Sequence, residues 1–131
     1  MNTIKRYMIV DDDKANNMLC RMILKKISGD VESVAYDIPR EALEKISSEY
    51  SGASKKIPTV LFLDINMPEI NGWEFMDLFK DFDKSIHDQF TIYILSSSVD
   101  YKDKDLADKN PLVSGYIQKP LTREKLKEIL N

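Results

Sequence analysis

Five short apolar runs alternate with longer amphipathic stretches along this chain. The runs Arg6–Val10, Val31–Tyr36, Thr59–Asp64, Thr91–Ser96 and Gly115–Gln118 have the length and composition of strands. Val60-Leu61-Phe62-Leu63 is apolar without a break, as a strand covered on both faces should be. The stretches between them carry helical spacing. Lys14 to Ile27 predicts a first helix with Met18, Leu19, Met22, Ile23 and Ile27 as its inner stripe, stopped by Ser28-Gly29-Asp30. A second helix begins near Pro39 and turns Ala42, Leu43 and Ile46 inward. A third starts at about Gly72 and buries some of Phe75, Met76, Leu78 and Phe79. A short fourth covers Tyr101–Lys109, ahead of Pro111. A fifth opens at Thr122 as N-cap and packs through Leu126, Ile129 and Leu130. Lys125 stands where a capping-box Glu is wanted, so that cap is one-sided. Ser51 to Pro58 reads as a polar loop, and His87 falls in another before the fourth strand. Strands alternating with helices predict an α/β domain: a five-stranded parallel sheet covered by five helices.

In such sheets ligands sit beyond the carboxyl ends of the strands. Four strand ends here carry reactive groups. Asp11, Asp12 and Asp13 follow the first strand, Asp64 ends the third, Ser96 ends the fourth, and Lys119-Pro120 follows the fifth. Two carboxylates about 4 Å apart repel by roughly 4 kcal/mol at an effective dielectric near 20, so a cluster of three calls for a cation or a proton. All-oxygen ligands suit a hard divalent ion, with Mg²⁺ the natural choice for Asp11, Asp12 and Asp64, and they do not suit zinc. An Asp can also be a nucleophile and become an aspartyl-phosphate. Asp64 is the best candidate, since it ends the central strand and is followed by the stiff loop Ile65–Gly72. Phosphoryl transfer needs in-line positioning and neutralised oxygens, which a metal, Lys119 and the Ser96 hydroxyl would supply.

The composition narrows the picture. The 131 residues fit one domain spanning 1–131, with no output domain expected. A net charge of −3 advertises no basic face for nucleic acid. No apolar run approaches the roughly 20 residues of a membrane helix, and the start is not a signal peptide. Cys20 is the sole cysteine, which excludes an internal disulfide and suits a reducing cytoplasm.

The motifs Ile9-Val10-Asp11-Asp12-Asp13, Leu63-Asp64-Ile65-Asn66-Met67-Pro68 with Gly72, Ile94-Leu95-Ser96-Ser97 and Gly115-Tyr116-Ile117-Gln118-Lys119-Pro120 resemble those of the receiver domain of two-component response regulators. The resemblance runs from Arg6 to Leu130 and implies the flavodoxin-like, doubly wound strand order 2-1-3-4-5 of the chemotaxis-type receiver. It implies that Asp64 takes phosphate from a phosphohistidine. Asp11, Asp12 and Asp64 would hold Mg²⁺ (or Mn²⁺) with the Asn66 backbone carbonyl. Ser96 and Lys119 would bind phosphoryl oxygens, Ser96 and Tyr116 would form the switch, and the Lys119–Pro120 peptide would be cis. Asn66 and Ser98 occupy positions that tune phosphate lifetime. Ser96 stands where Thr is commoner, Ser97 where Ala or Gly is frequent, and Leu121 where Phe is often found.

The expected protein is thus a stand-alone cytoplasmic receiver, not an enzyme beyond its own phosphorylation and dephosphorylation. Its partners would be a histidine kinase or histidine phosphotransfer protein and a downstream target. The target would read the fourth helix, fifth strand and fifth helix, with Leu106, Tyr116, Gln118 and Lys125 as candidates. Neither nucleic acid nor membrane is expected as a partner, and the oligomeric state would be monomer or phosphorylation-dependent dimer. The alternatives are a receiver-fold interaction module that does not switch by phosphorylation, and a fragment of a hybrid histidine kinase. A flavodoxin-type redox protein fits poorly, because an Asp triplet would repel a flavin phosphate. An Asp-nucleophile phosphatase would want a second Asp where Asn66 stands.

Overall fold

The chain, seen in a computed structural model that describes residues 3–52, 56–97 and 100–130, folds with helix between every pair of successive strands. The elements are β1 (Arg6–Val10), α1 (Lys14–Ile27), β2 (Glu32–Tyr36), α2 (Pro39–Tyr50), β3 (Thr59–Asp64), α3 (Gly72–Lys80), α4 (Lys84–His87), β4 (Phe90–Ser96), α5 (Tyr101–Lys109), β5 (Gly115–Gln118) and α6 (Arg123–Leu130). The strands pair in parallel in the order β2-β1-β3-β4-β5, the doubly wound arrangement expected. Ser98 and residues 53–55 of the polar loop lie outside the described residues.

The pleat sorts each strand onto two cores. Met8 and Val10 of β1 and Leu61 and Leu63 of β3 pack with Ala42, Ile46, Phe75, Phe79 and Ala107, so α2, α3 and α5 cover that face. Tyr7, Ile9, Val60 and Phe62 pack with Cys20, Leu24 and Leu126 beneath α1 and α6. Continued to the carboxyl edge, this alternation gives Asp11, Asp64 and Lys119 the parity of the α1/α6 face. Val10 is level with Leu63, Asp64 with Leu95, and Ser96 with Gln118, so the reactive residues leave the sheet side by side.

Three expectations need correction. Six helices, not five, stand among the described residues. The extra one is the single turn α4, where Ile86 buries its side chain and the backbone N–H groups of Ile86 and His87 donate to the Asp83 carbonyl. His87 therefore lies on a helix rather than in a loop. Its ring is 4.9 Å from that of Phe79, and Nε2 is 2.8 Å from the Phe79 carbonyl oxygen.

The inner stripe of α1 is met only in part. Ile23 and Ile27 pack against the core as expected, beside buried Asn17, Cys20 and Leu24, whereas Met18, Leu19 and Met22 are 65%, 59% and 52% exposed. The exposed three also recur at helical spacing, so periodicity alone could not exclude them. The phase is set at the start of the helix. Asp13 caps it by accepting from the Asn16 N–H at 3.1 Å, and Asn17 Nδ2 donates to the Asp11 carbonyl at 2.8 Å, which turns position 17 inward.

The amino edge of the sheet carries a separate polar cluster. Arg6, 9% exposed, donates to Glu32 at 2.7 Å, to Glu49 at 2.7 Å and to the Tyr50 hydroxyl at 3.1 Å. That hydroxyl is 2.7 Å from Thr59 Oγ1, so β1, β2, α2 and β3 are tied together at the edge away from the aspartates.

Candidate functional site

Asp11 and Asp64 are almost wholly buried at the carboxyl edge, while Asp12 beside them is exposed. Each of the three places a carboxylate oxygen within 4.8 Å of the others. Lys119 reaches in from the loop after β5, its Nζ 2.7 Å from Asp11 Oδ2 and 3.2 Å from Asp64 Oδ1. The ammonium thus supplies counter-charge to both buried acids. Charge-assisted contacts of this length are strong, and in a buried setting the residual repulsion between the carboxylates is felt strongly as well.

Electrostatics separates the groups. Burial, and then the neighbouring Asp11 charge, push the Asp64 carboxyl up to about 6, against the pull of Lys119 and of the Asn66 backbone N–H. Burial works to lower Lys119, but its hydrogen bond and charge contact with Asp11, helped by Asp64, outweigh it and leave the amine raised. Cys20 lies close enough to feel the same charges. Burial and Asp11 lift its thiol to about 11, so it remains a packed neutral group.

The backbone around Asp64 is held closely. Gly72 N–H donates to the Ile65 carbonyl at 2.8 Å, and a Cβ at Gly72 would stand 2.7 Å from the Asp64 carbonyl oxygen. Only glycine permits that approach. Asn71 then starts α3 with a complete capping box, its side chain accepting from Glu74 N–H at 2.8 Å and its own N–H donating to Glu74 at 2.9 Å. The loop after Asp64 is therefore clamped between the end of β3 and the start of α3.

The remaining expected residues fall as follows. Ser96 is fully buried at the end of β4, one residue past the register partner of Asp64, and its carbonyl accepts from the Lys119 N–H at 2.7 Å. The Lys119–Pro120 peptide is cis. Tyr116 is half-buried on β5, level with Ile94, and packs on the α2/α3/α5 side. Asn66 is exposed, and its backbone N–H bonds the Asp64 carboxylate.

Two residues of the site went unread in the sequence. Asn16 Nδ2 donates to Asp11 Oδ2 at 2.7 Å, and Asn17 holds the Asp11 carbonyl. The available signal was a pair of asparagines just after the Asp triplet, one of them on a helix face that must be buried.

A ligand set made wholly of carboxylate oxygens, at this spacing, fits a hard divalent cation. A doubly wound α/β domain with an acid cluster and an amine at one sheet edge is a receiver-type domain by fold and by site. The sequence matches the response regulator receiver domain over residues 7–131, and the chain belongs to that family. It is 32% identical to the two-component response regulator of Cytophaga hutchinsonii, whose crystal structure superposes with a TM-score of 0.83 over 99% of this chain and 96% of that one. It is 28% identical over 123 residues to protein PilG of Pseudomonas aeruginosa, covering 92% of this chain and 81% of PilG. It is 26% identical over 125 residues to hybrid signal transduction histidine kinase L of Dictyostelium discoideum, covering 95% of this chain but only 7% of the kinase. Receiver domains are signalling switches of two-component systems rather than classical enzymes. Among the described residues no helix is long and apolar enough to cross a membrane.

Proposed function

We propose that the chain is a stand-alone phosphoacceptor receiver of the cytoplasm that takes a phosphoryl group onto Asp64 and passes the signal to a partner protein. The observation that carries this reading is the cluster itself: Asp11, Asp12 and Asp64 oxygens within 4.8 Å, with the Lys119 amine against two of them. Asp11, Asp12 and Asp64 would hold Mg²⁺ (or Mn²⁺), together with the Asn66 carbonyl. Bound there, the ion supplies neutralisation of charge on the transferring phosphoryl oxygens.

The chain's own residues do the rest. An Asp64 carboxylate oxygen attacks phosphorus in line. The P–N bond of a phosphohistidine that carries a proton on its other ring nitrogen breaks, and the electron pair returns to the ring, so the imidazole leaves neutral. Lys119 holds one phosphoryl oxygen and the Ser96 hydroxyl holds another. Ser96 and Tyr116 then favour a second conformer only by the difference in phosphoryl affinity between the two states. The close approach of Gly72 holds the loop after Asp64 in place, so the change is directed to β4, α5 and β5.

Two surfaces serve the partners. Exposed Met18, Leu19 and Met22 lie on a helix that carries Lys14, Arg21, Lys25 and Lys26 and no acid. This apolar, basic face beside the aspartates suits a helical histidine donor, a kinase or a phosphotransfer protein. The face formed by α5, β5 and α6, with Leu106 at 48% exposure and Tyr101 at 82%, suits the downstream target. The protein works as a monomer or as a phosphorylation-dependent dimer, with no direct nucleic acid or membrane partner.

Incubation with Mg²⁺ and acetyl phosphate tests the reading. Intact mass should rise by one phosphoryl group, and Asp64→Asn should abolish the gain. A native chain that stays unmodified would favour a receiver-fold interaction module instead. The likeness to a small segment of a hybrid kinase supports a second reading, in which the chain is part of such a kinase. An immunoblot of the source cells separates the two by polypeptide size.

A further inference from the structure

The first turn of α6 holds a residue of the wrong charge. Thr122 caps the helix, its Oγ1 accepting from the Lys125 N–H at 3.2 Å and its carbonyl from the Leu126 N–H at 3.0 Å. Position 125 is the place from which an acidic side chain would reach back and close the capping box. A cation there also opposes the helix dipole. Lys125 is therefore a locally poor choice, of the kind proteins tolerate where something else is gained.

What it makes is specific. Lys125 Nζ donates to the Gln118 carbonyl at 2.6 Å and to the Pro120 carbonyl at 3.1 Å. Those are the two carbonyls that bracket Lys119. On the other side, the Lys119 N–H is held by the Ser96 carbonyl at 2.7 Å. The backbone of Lys119 is thus gripped from two sides, and its side chain points from that grip to Asp11 and Asp64. Lys125 was expected on the readout face, but its ammonium turns to the site's own loop.

We infer that Lys125 is a positioning residue, which aims the Lys119 amine at the phosphoryl site by clamping the carbonyls on either side of it. It touches neither phosphate nor metal. A donor is required at position 125, because carbonyls can only accept, and this explains why Lys stands where Glu would make the better helix. The kinetic consequence rests on the phosphoacceptor reading, whereas the aim of Lys119 does not.

The test uses four variants of the full chain. Lys125→Glu removes the clamp while completing the capping box, so the helix should not suffer. Lys125→Met removes it without adding charge, Lys125→Arg keeps a long donor, and Lys119→Ala identifies the Lys119 signal. The first readout is the ¹⁵N spectrum of the lysine ammonium groups, taken without phosphodonor or metal. The Lys119 signal should shift or broaden in Lys125→Glu and Lys125→Met and return towards native in Lys125→Arg. The second readout is the rate of Asp64 phosphorylation by acetyl phosphate at saturating Mg²⁺. It should fall about tenfold in the first two variants, because a small misplacement of a catalytic group is costly, and recover in the third.

An unmoved Lys119 signal in both clamp-free variants overturns the inference. So does a moved signal with an unchanged rate in a protein that natively takes phosphate. So does a Lys125→Glu protein that melts as early as a loosened helix would, since the effect would then be structural. If the native chain takes no phosphate while the Lys119 signal still responds to position 125, the positioning role stands and the phosphoacceptor reading falls.

Discussion

A methyl group on Gly72 would lie 2.7 Å from the carbonyl oxygen of Asp64, inside any real contact distance. The neighbour is backbone, so relief requires α3 or the acceptor loop to move. Gly72→Ala should cost about 1–3 kcal/mol as an overpacked site does. It should also displace the acceptor carboxylate, so labelling by acetyl phosphate should slow by more than the stability loss explains. A variant that folds and labels at the native rate would show that the close approach is not needed.

The pH dependence follows from Asp64, which sits at about 6 rather than the usual carboxylate value of 3.8. Between those values the folded state keeps a proton that the unfolded chain releases. Stability from this group therefore falls as pH rises through that window, and the cost is complete above about 6, at about 2–3 kcal/mol. Asp64→Asn should abolish this slope and leave the protein more stable than native at neutral pH. Denaturant titrations across the window, without divalent ions, check it. A native slope of opposite sign from this residue would refute the assignment.

Divalent metal should reverse that cost. Mg²⁺ at about 100 times its dissociation constant should stabilise the fold by roughly 2.7 kcal/mol, seen as a rise in melting temperature that fades below pH 6 as Asp64 takes a proton. Lys119 contacts two of the three proposed ligands, so it competes with the ion for their charge. Lys119→Ala should therefore bind Mg²⁺ more tightly yet fail to signal after phosphorylation. Calorimetric titration of both proteins decides it, and weaker binding by the variant would contradict the competition.

The basic, apolar face of α1 predicts a split between donors. Charging it with Met18→Asp and Met22→Asp removes two exposed thioether side chains from the proposed docking face and adds repulsive carboxylates to it. Transfer from a histidine donor should slow about tenfold or more, while acetyl phosphate, which needs no docking, should label the protein at the native rate. Equal slowing with both donors would place the defect in the site instead.

Arg6 should matter for the fold and not for the chemistry. Its guanidinium bridges Glu32, Glu49 and Tyr50 at the edge opposite the aspartates. Arg6→Met should lower stability by about 2 kcal/mol, the scale of losing hydrogen bonds to a charged group, discounted for the exposure of Glu32 and Glu49. Phosphorylation rates of the folded protein should not change, and a change would reveal coupling along β1.

Much of this molecule was legible before any coordinates. Strand runs such as Val60-Leu61-Phe62-Leu63 can satisfy their apolar side chains only in a sheet covered on both faces, and five such runs alternating with helical segments leave few architectures. Residues after those strands must then share one edge. Asp11, Asp12, Asp64 and Lys119 could be grouped on that ground, and the coordinates group them. The sequence by itself determined the alternation of strand and helix segments and the chemical kind of the site, because these follow from local periodicity and from which atoms an Asp or Lys can offer.

The tertiary structure decided what local pattern leaves degenerate. It chose which apolar residues of α1 join the core, Ile23 and Ile27 but not Met18, Leu19 and Met22, because the hydrogen bonds of Asn16 and Asn17 to Asp11 fix the helix phase across a turn of chain. It made the polar segment at Ile86 a helical turn, because a buried side chain outweighed weak propensity. It gave Lys125 two carbonyls that only the return of the chain from β5 into α6 brings within reach. Each of these outcomes depends on distances between segments, and distance between segments is what a one-dimensional pattern does not carry.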